Sequence, residues 1–157
     1  MINHEHWMQH AIKEAEKAYR SGEVPVGAVV VHENRIIGRG FNQTETLRDP
    51  TAHAEMIALS AAANTLESWR LEHCSLYVTL EPCAMCAGAI VLSRIQRLIY
   101  ACEDPKAGAC GSLRNIVQDH RLNHQVEIVE GVFCTQASGL LRSFFRELRE
   151  KKSSRSE

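Results

Sequence analysis

A chain of 157 residues is long enough for one domain with a substantial core and short for two. Apolar residues make up 45%, charged residues 24%, and the net charge is −1, so composition argues against a disordered chain and against a strongly basic nucleic-acid binder. Residues 1–20 carry Glu5, Lys13, Glu14, Glu16 and Lys17 where a signal peptide would have an apolar block, and the longest apolar run, 84–92, is far too short to span a bilayer. A cytoplasmic protein without a membrane anchor is expected.

In chain order, Trp7, Met8, Ala11, Ile12, Ala15 and Ala18 fall at helical spacing and predict an amphipathic helix over 5–20. The runs 26–31 and 36–41 read as a β-hairpin around Glu33-Asn34, although that turn lacks the strong Asn-Gly signal. Asp49-Pro50-Thr51 predicts a helix start, with Asp49 or Thr51 as the cap, and the helix runs on through Met56, Ile57, Leu59 and Ala63. A strand over 76–80 leads into a helix over 83–92. Strands at 96–101 and 126–129 and a last helix over 134–150 complete the pattern. Strands alternating with helices predict an α/β layered domain whose later sheet is largely parallel. Residues 103–125 are the least regular segment, and a loop that long in a compact domain is often functional.

One domain over 1–150 and a basic, flexible tail over 151–157 are expected. Residues 142–157 hold six Lys/Arg against three Glu, a basic end that could follow phosphates or serve as a solvated helix face. Of the six cysteines, Cys83 and Cys86 form one C-x-x-C. Cys74, Cys102, Cys110 and Cys134 are scattered and read as reduced, mostly packing residues.

The chemistry concentrates in His53-Ala54-Glu55 and Pro82-Cys83-Ala84-Met85-Cys86. His53, Cys83 and Cys86 supply a nitrogen and two thiolates, a tetrahedral zinc set short of its fourth member, and catalytic zinc sites keep that position for water. Both pieces fall at predicted helix N-termini, whose partial positive charge favours thiolates. Glu55 is placed outside the ligand set, where one carboxylate could take a proton from water and deliver protons to a ring nitrogen and a leaving amine. A thioredoxin-like pair is disfavoured by Pro82 and by the accompanying histidine motif, and a zinc ribbon would need a second C-x-x-C. The order H-x-E then P-C-x-x-C is the signature of zinc-dependent nucleoside and nucleobase deaminases.

Over nearly its whole length the sequence resembles the bacterial tRNA-specific adenosine deaminases. The resemblance is carried by 23–28, Asp49-Pro50-Thr51-Ala52-His53-Ala54-Glu55, 79–89, Ser93-Arg94-Ile95, Asp104-Pro105-Lys106-Ala107-Gly108, Gly111-Ser112-Leu113 and Phe144-Phe145. It implies a three-layer α/β/α cytidine-deaminase-like fold with a mixed sheet of about five strands, and a homodimer. It also implies one Zn²⁺ per subunit on His53, Cys83 and Cys86, and no organic cofactor. The implied reaction is hydroxide attack on adenine C6 at the wobble position of a tRNA anticodon, with Glu55 shuttling protons and ammonia leaving. Asn42, Ala54, Asp104, Lys106, Phe145 and Arg146 are the implied substrate contacts, Arg146 meeting phosphates. Asn42 also reads as a turn residue and Phe145 as core packing within an apolar stripe of Leu140, Leu141, Phe144, Phe145 and Leu148. Two rivals stay open: a deaminase of a free base or mononucleotide (cytosine, guanine, deoxycytidylate), and a non-catalytic zinc-stabilised RNA-binding module.

Overall fold

A computed structural model describes residues 2–155. Its elements are α1 (His4–Arg20), β1 (Gly27–His32), β2 (Arg35–Phe41), α2 (Thr44–Leu47), α3 (Ala54–Leu66), β3 (Ser75–Leu80), α4 (Ala84–Leu92), β4 (Arg97–Cys102), β5 (Glu127–Glu130) and α5 (Cys134–Arg155). The strands form one sheet in the order β2-β1-β3-β4-β5. Strand β1 is antiparallel to both β2 and β3, while β3-β4 and β4-β5 are parallel. This is the expected mixed five-stranded sheet.

Helices cover both faces, which explains why the central strands are apolar at almost every position instead of at alternate ones. Ala28, Val30, Leu76, Val78, Leu98 and Tyr100 pack on the face under α3 and α4. Their neighbours Val29, Val31, Tyr77, Ile99 and Ala101 pack on the opposite face, where Met8 and Ala11 of α1 and Ala137 of α5 cover them. The three layers are thus built by period-two alternation between two separate cores.

Close backbone approach sets the spacing of the first layer. At Gly40 of β2 an added Cβ would lie 2.4 Å from the Ala54 carbonyl oxygen and 2.8 Å from the Ala58 nitrogen, so α3 rests directly on strand backbone. The hairpin turn is formed by Glu33 and Asn34, both with positive φ (48° and 61°), the pattern of a type I′ turn obtained without glycine.

Three expectations need correction. Helix α3 begins at Ala54 with His53 as its N-cap, not at Asp49–Thr51. Asp49 Oδ1 instead accepts hydrogen bonds from the Thr51 N–H (2.8 Å) and hydroxyl (2.7 Å), a local turn that competes with helix formation. The short helix α2 has no counterpart in the sequence reading. Helix α5 continues to Arg155, past the expected end at 150, and the last two residues of the expected tail, 156–157, lie outside the described residues.

The long segment between β4 and β5 has no regular element, yet Ala109, Cys110 and Val117 are buried in the main core. It is a packed loop. All six cysteines are free, with Cys74, Cys86, Cys102 and Cys110 buried. No helix among the described residues is long and apolar enough to cross a membrane.

Candidate functional site

One end of the sheet brings together His53, Glu55, Cys83 and Cys86. Because β1 runs against its neighbours, its start lies beside the ends of β2 and β3, and the parallel pairing of β3 with β4 brings Leu80 opposite Cys102. Clefts beyond the carboxyl ends of strands are the usual ligand sites of such sheets. Here a cavity of about 280 Å³ is lined by Val24, Val26, Asn42, Thr44, His53, Glu55, Leu80, Glu81, Cys83, Asp104 and Ala107.

Two helix N-termini point into this cavity. His53 caps α3 and Cys83 caps α4, each with extended backbone (ψ 152° and 178°) that turns the side chain toward the opening. Cys86 follows three residues after Cys83, in the first turn of α4, so both sulfurs project the same way. His53 Nδ1 lies 3.6 Å from Cys83 Sγ and 3.5 Å from Cys86 Sγ, and the ligand atoms of all three fall within 4.8 Å of one another. That spacing suits a single ion held by one nitrogen and two sulfurs. Among the described residues no fourth His, Cys, Asp or Glu joins the group.

The electrostatics fit such an ion. The Cys83 thiol is held at about 3, first by a hydrogen bond from Cys86 and next by His53, so it is a thiolate at neutral pH. Cys86 is correspondingly pushed above the usual thiol range, since Cys83 holds its proton. His53 is raised chiefly by its contact with the Cys83 sulfur. Two sulfurs and an imidazole that share protons this closely form a donor set ready to exchange them for a cation.

Glu55 is 4% exposed, and burial pushes its carboxyl up to about 6. A carboxyl that titrates near neutrality, at the wall of a cavity and beside a metal-ligand group, is equipped to accept and return protons. Asn42 is 8% exposed and lines the same cavity, its backbone N–H bonded to the Val26 carbonyl (3.1 Å).

The remaining expected contacts divide. Asp104 reaches the cavity, and its Oδ1 also accepts from the N–H groups of Lys106 (3.1 Å) and Ala107 (3.3 Å). Ala54 is fully buried in the core behind the site and does not line the cavity. Lys106, Phe145 and Arg146 line a second, larger groove of about 760 Å³ with Leu141, Arg142, Leu148, Arg149 and Lys152. The apolar stripe of α5 is therefore not one core face. Phe144 packs against Tyr19 with ring centroids 6.1 Å apart, whereas Phe145 is 41% exposed and shares its groove with Arg142, Arg146 and Arg149.

Two buried glutamates at the rim had no place in the sequence reading. Glu23 accepts from the Glu45 N–H (3.1 Å) and from the Thr46 N–H and hydroxyl (2.6 Å each), holding the start of the short helix α2 that follows Asn42. Glu81 accepts from the loop that follows β4. Burial raises both carboxyls, but the hydrogen bonds outweigh it and hold both below the usual glutamate value. The available signal was an acid one or two residues before a proline, as in Glu23-Val24-Pro25 and Glu81-Pro82.

A mixed sheet with a nitrogen-and-two-sulfur centre and a buried glutamate at its carboxyl edge defines a deaminase. The family model of MafB19-like deaminases matches residues 2–149. The tRNA-specific adenosine deaminase of Bacillus subtilis (strain 168) is 51% identical, over 97% of this chain and 94% of its own length. A solved tRNA:A34 deaminase, studied for A-to-I editing at the wobble position of transfer RNA, superposes with a TM-score of 0.84 at 41% identity, over 87% of this chain and 99% of that one. The guanine deaminase of Bacillus subtilis superposes less well, with a TM-score of 0.64 at 39% identity over 71% of each chain. The chain belongs to the family of tRNA-specific adenosine deaminases.

Proposed function

We propose that the chain converts adenosine to inosine at the wobble position of a tRNA anticodon, with a zinc ion held by His53 Nδ1, Cys83 Sγ and Cys86 Sγ. The observation that carries the reading is the meeting of these three atoms within 4.8 Å beside Glu55, in a cavity at the small end of ligand pockets. A zinc ion in such a site supplies Lewis acidity and brings the pKa of a bound water toward 7.

The chain's own residues do the rest. Glu55 takes one proton from the attacking water and gives it to adenine N1, then takes the remaining proton from the new C6 hydroxyl and gives it to the amine leaving C6, so that water and adenosine become inosine and ammonia. Its pKa of about 6 lets it both accept and release protons near neutral pH. Asn42, at the cavity wall, offers its amide to the flipped nucleotide, and Asp104 flanks it from the loop side. In the larger groove Phe145 supplies a face for an unstacked base, while Lys106, Arg142, Arg146, Arg149 and Lys152 meet backbone phosphates. This groove favours an RNA loop over a free base, which would need no such surface. Ala54 contributes only as the first residue of the helix that His53 caps.

The enzyme works in the cytoplasm with its tRNA and as a homodimer. The self-association surface is the apolar patch on the outer side of α3 and α4, where Trp69 (62%) and Leu92 (70%) are exposed around Met56, Leu59 and Ala89. Leu92→Glu yields monomers in sedimentation if this is the interface.

The deciding experiment incubates the zinc-loaded protein with bulk tRNA and maps inosine, with ammonia release measured in parallel on free adenosine and guanine. Inosine confined to an anticodon position 34 is expected. Turnover of a free base or nucleoside with none on an anticodon stem-loop overturns the reading.

A further inference from the structure

Glu81 sits between the last residue of β3 and Pro82-Cys83, and it is 2% exposed. Its carboxylate gathers four donors from one stretch of the β4–β5 loop. Oε1 accepts from the Asp104 N–H (3.0 Å) and the Ser112 hydroxyl; Oε2 accepts from the Cys110 and Ser112 N–H groups (3.0 Å each). The two backbones are stitched as well, through Glu81 N–H to Cys102 O (2.8 Å) and Ala109 N–H to Pro82 O (2.9 Å). The loop wraps this closely only because residue 108 is glycine: a Cβ there would lie 2.3 Å from Glu81 Oε2.

The effect travels outward. Asp104 is fixed by its N–H to Glu81, and its own Oδ1 shapes the turn that carries Lys106. Lys106 reaches the basic groove, and Asp104 reaches the catalytic cavity. One buried side chain therefore links the strand end that leads to Cys83, the cavity rim and the groove.

We propose that Glu81 is a positioning residue for the RNA substrate: its carboxylate holds the 103–112 loop in the shape that presents Asp104 and Lys106. The proposal rests on the tRNA reading above. Its chemistry is specific, because all four partners are donors and only a carboxylate offers two acceptor oxygens. In Glu81→Gln one oxygen becomes an NH₂ group. The Ser112 hydroxyl can rotate to accept from that group, so the amide turns its nitrogen toward the Oε1 side and the Asp104 N–H loses its acceptor. Cys110 and Ser112 keep theirs.

The test combines amide hydrogen exchange without RNA and kinetics on an anticodon stem-loop, for Glu81→Gln and for Gly108→Ala, which leaves every charge in place and forces the loop off the carboxylate. In Glu81→Gln, exchange at Asp104 is expected to rise at least tenfold while Cys110 and Ser112 stay protected. In both variants KM for the stem-loop rises about tenfold, kcat falls less than threefold, and zinc stays at the wild-type stoichiometry. Unchanged KM in a chain whose wild type makes inosine overturns the proposal. So does a loss confined to kcat, or unchanged exchange at Asp104. If Glu81→Gln does not fold, Gly108→Ala decides by the same KM and kcat criteria. A wild type that makes no inosine on the stem-loop refutes the tRNA reading, and with it the role in RNA presentation. The exchange data then still report whether Glu81 holds the loop.

Discussion

Replacing Glu55 by glutamine separates what this side chain does for the reaction from what it costs the fold. Burial moves its carboxyl from the usual 4.5 to about 6. An acid that holds its proton more tightly in the folded state than in the unfolded one is destabilising once ionised. The penalty is absent below about 4.5, grows as pH rises to about 6, and is constant above; the displacement amounts to about 2 kcal/mol. Glutamine keeps the shape and carries no charge, so the metal-stripped variant is expected to gain about 2 kcal/mol over wild type at pH 8 and almost nothing at pH 4.5. Turnover moves the other way. General acid–base assistance is worth roughly 100- to 10,000-fold, and the proposed mechanism routes all the proton transfers through this one group, so a loss near the upper end is expected. Denaturant melts of chelated protein at the two pH values check the first part. Initial rates of inosine formation with zinc content measured on the same samples check the second. A zinc-loaded Glu55→Gln enzyme within tenfold of wild type removes Glu55 from proton transfer, and equal stabilities at pH 8 refute the burial argument.

Glu23→Gln has the opposite sign. Its carboxyl is held below the usual value, so the stability it brings is complete above the ordinary glutamate range and is lost as pH falls through the folded value. The variant is therefore expected to be about 1–3 kcal/mol less stable at pH 7, with the gap closing in acid, by thermal melts across pH. Arg146→Ala combined with Arg149→Ala should weaken tRNA binding and flatten the salt dependence by about 0.7–0.9 in log–log slope per lost phosphate contact, measured by fluorescence anisotropy; an unchanged slope makes this helix face merely solvated. Gly40→Ala presses a methyl group against the Ala54 carbonyl and is expected to cost about 1–3 kcal/mol in a melt and to lower turnover, because the displaced helix start carries His53 and Glu55.

The sequence was most legible where local rules and tertiary demands agree. The strands and the helices α1 and α4 carry runs and periods that nothing else in the fold contradicts. His53, Glu55, Cys83 and Cys86 were readable as a group because their chemistry depends on residue type and spacing, and both motifs begin helices that face one cavity. Legibility failed where a side chain had two possible partners. Asp49 reads as a helix cap, but it bonds Thr51 two residues on and leaves the cap position to His53. Phe145 reads as core at helical spacing, yet the sheet and α1 cover the side of α5 that carries Ala137 and Phe144, and nothing in the local pattern tells which neighbour a helix will meet.

Glu23 and Glu81 were illegible for a different reason, and it bears on how the site is divided. Their partners lie 22 to 31 residues away in sequence, in the four-residue helix α2 and in the loop after β4, neither with a periodicity to announce it, so only the fold reveals that each acid organises a distant segment. A backbone loop at a cavity rim cannot bury its N–H groups without acceptors, and a carboxylate supplies several acceptor sites from one position. The metal-ligand group needs no such support, because its side chains stand on two helix starts. On the proposed reading the reaction thus rests on regular elements, where a short motif encodes it. Recognition is shared between helix α5 and the cavity rim, and the rim's geometry depends on distant acids that would have to keep their charge for its segments to keep their shape.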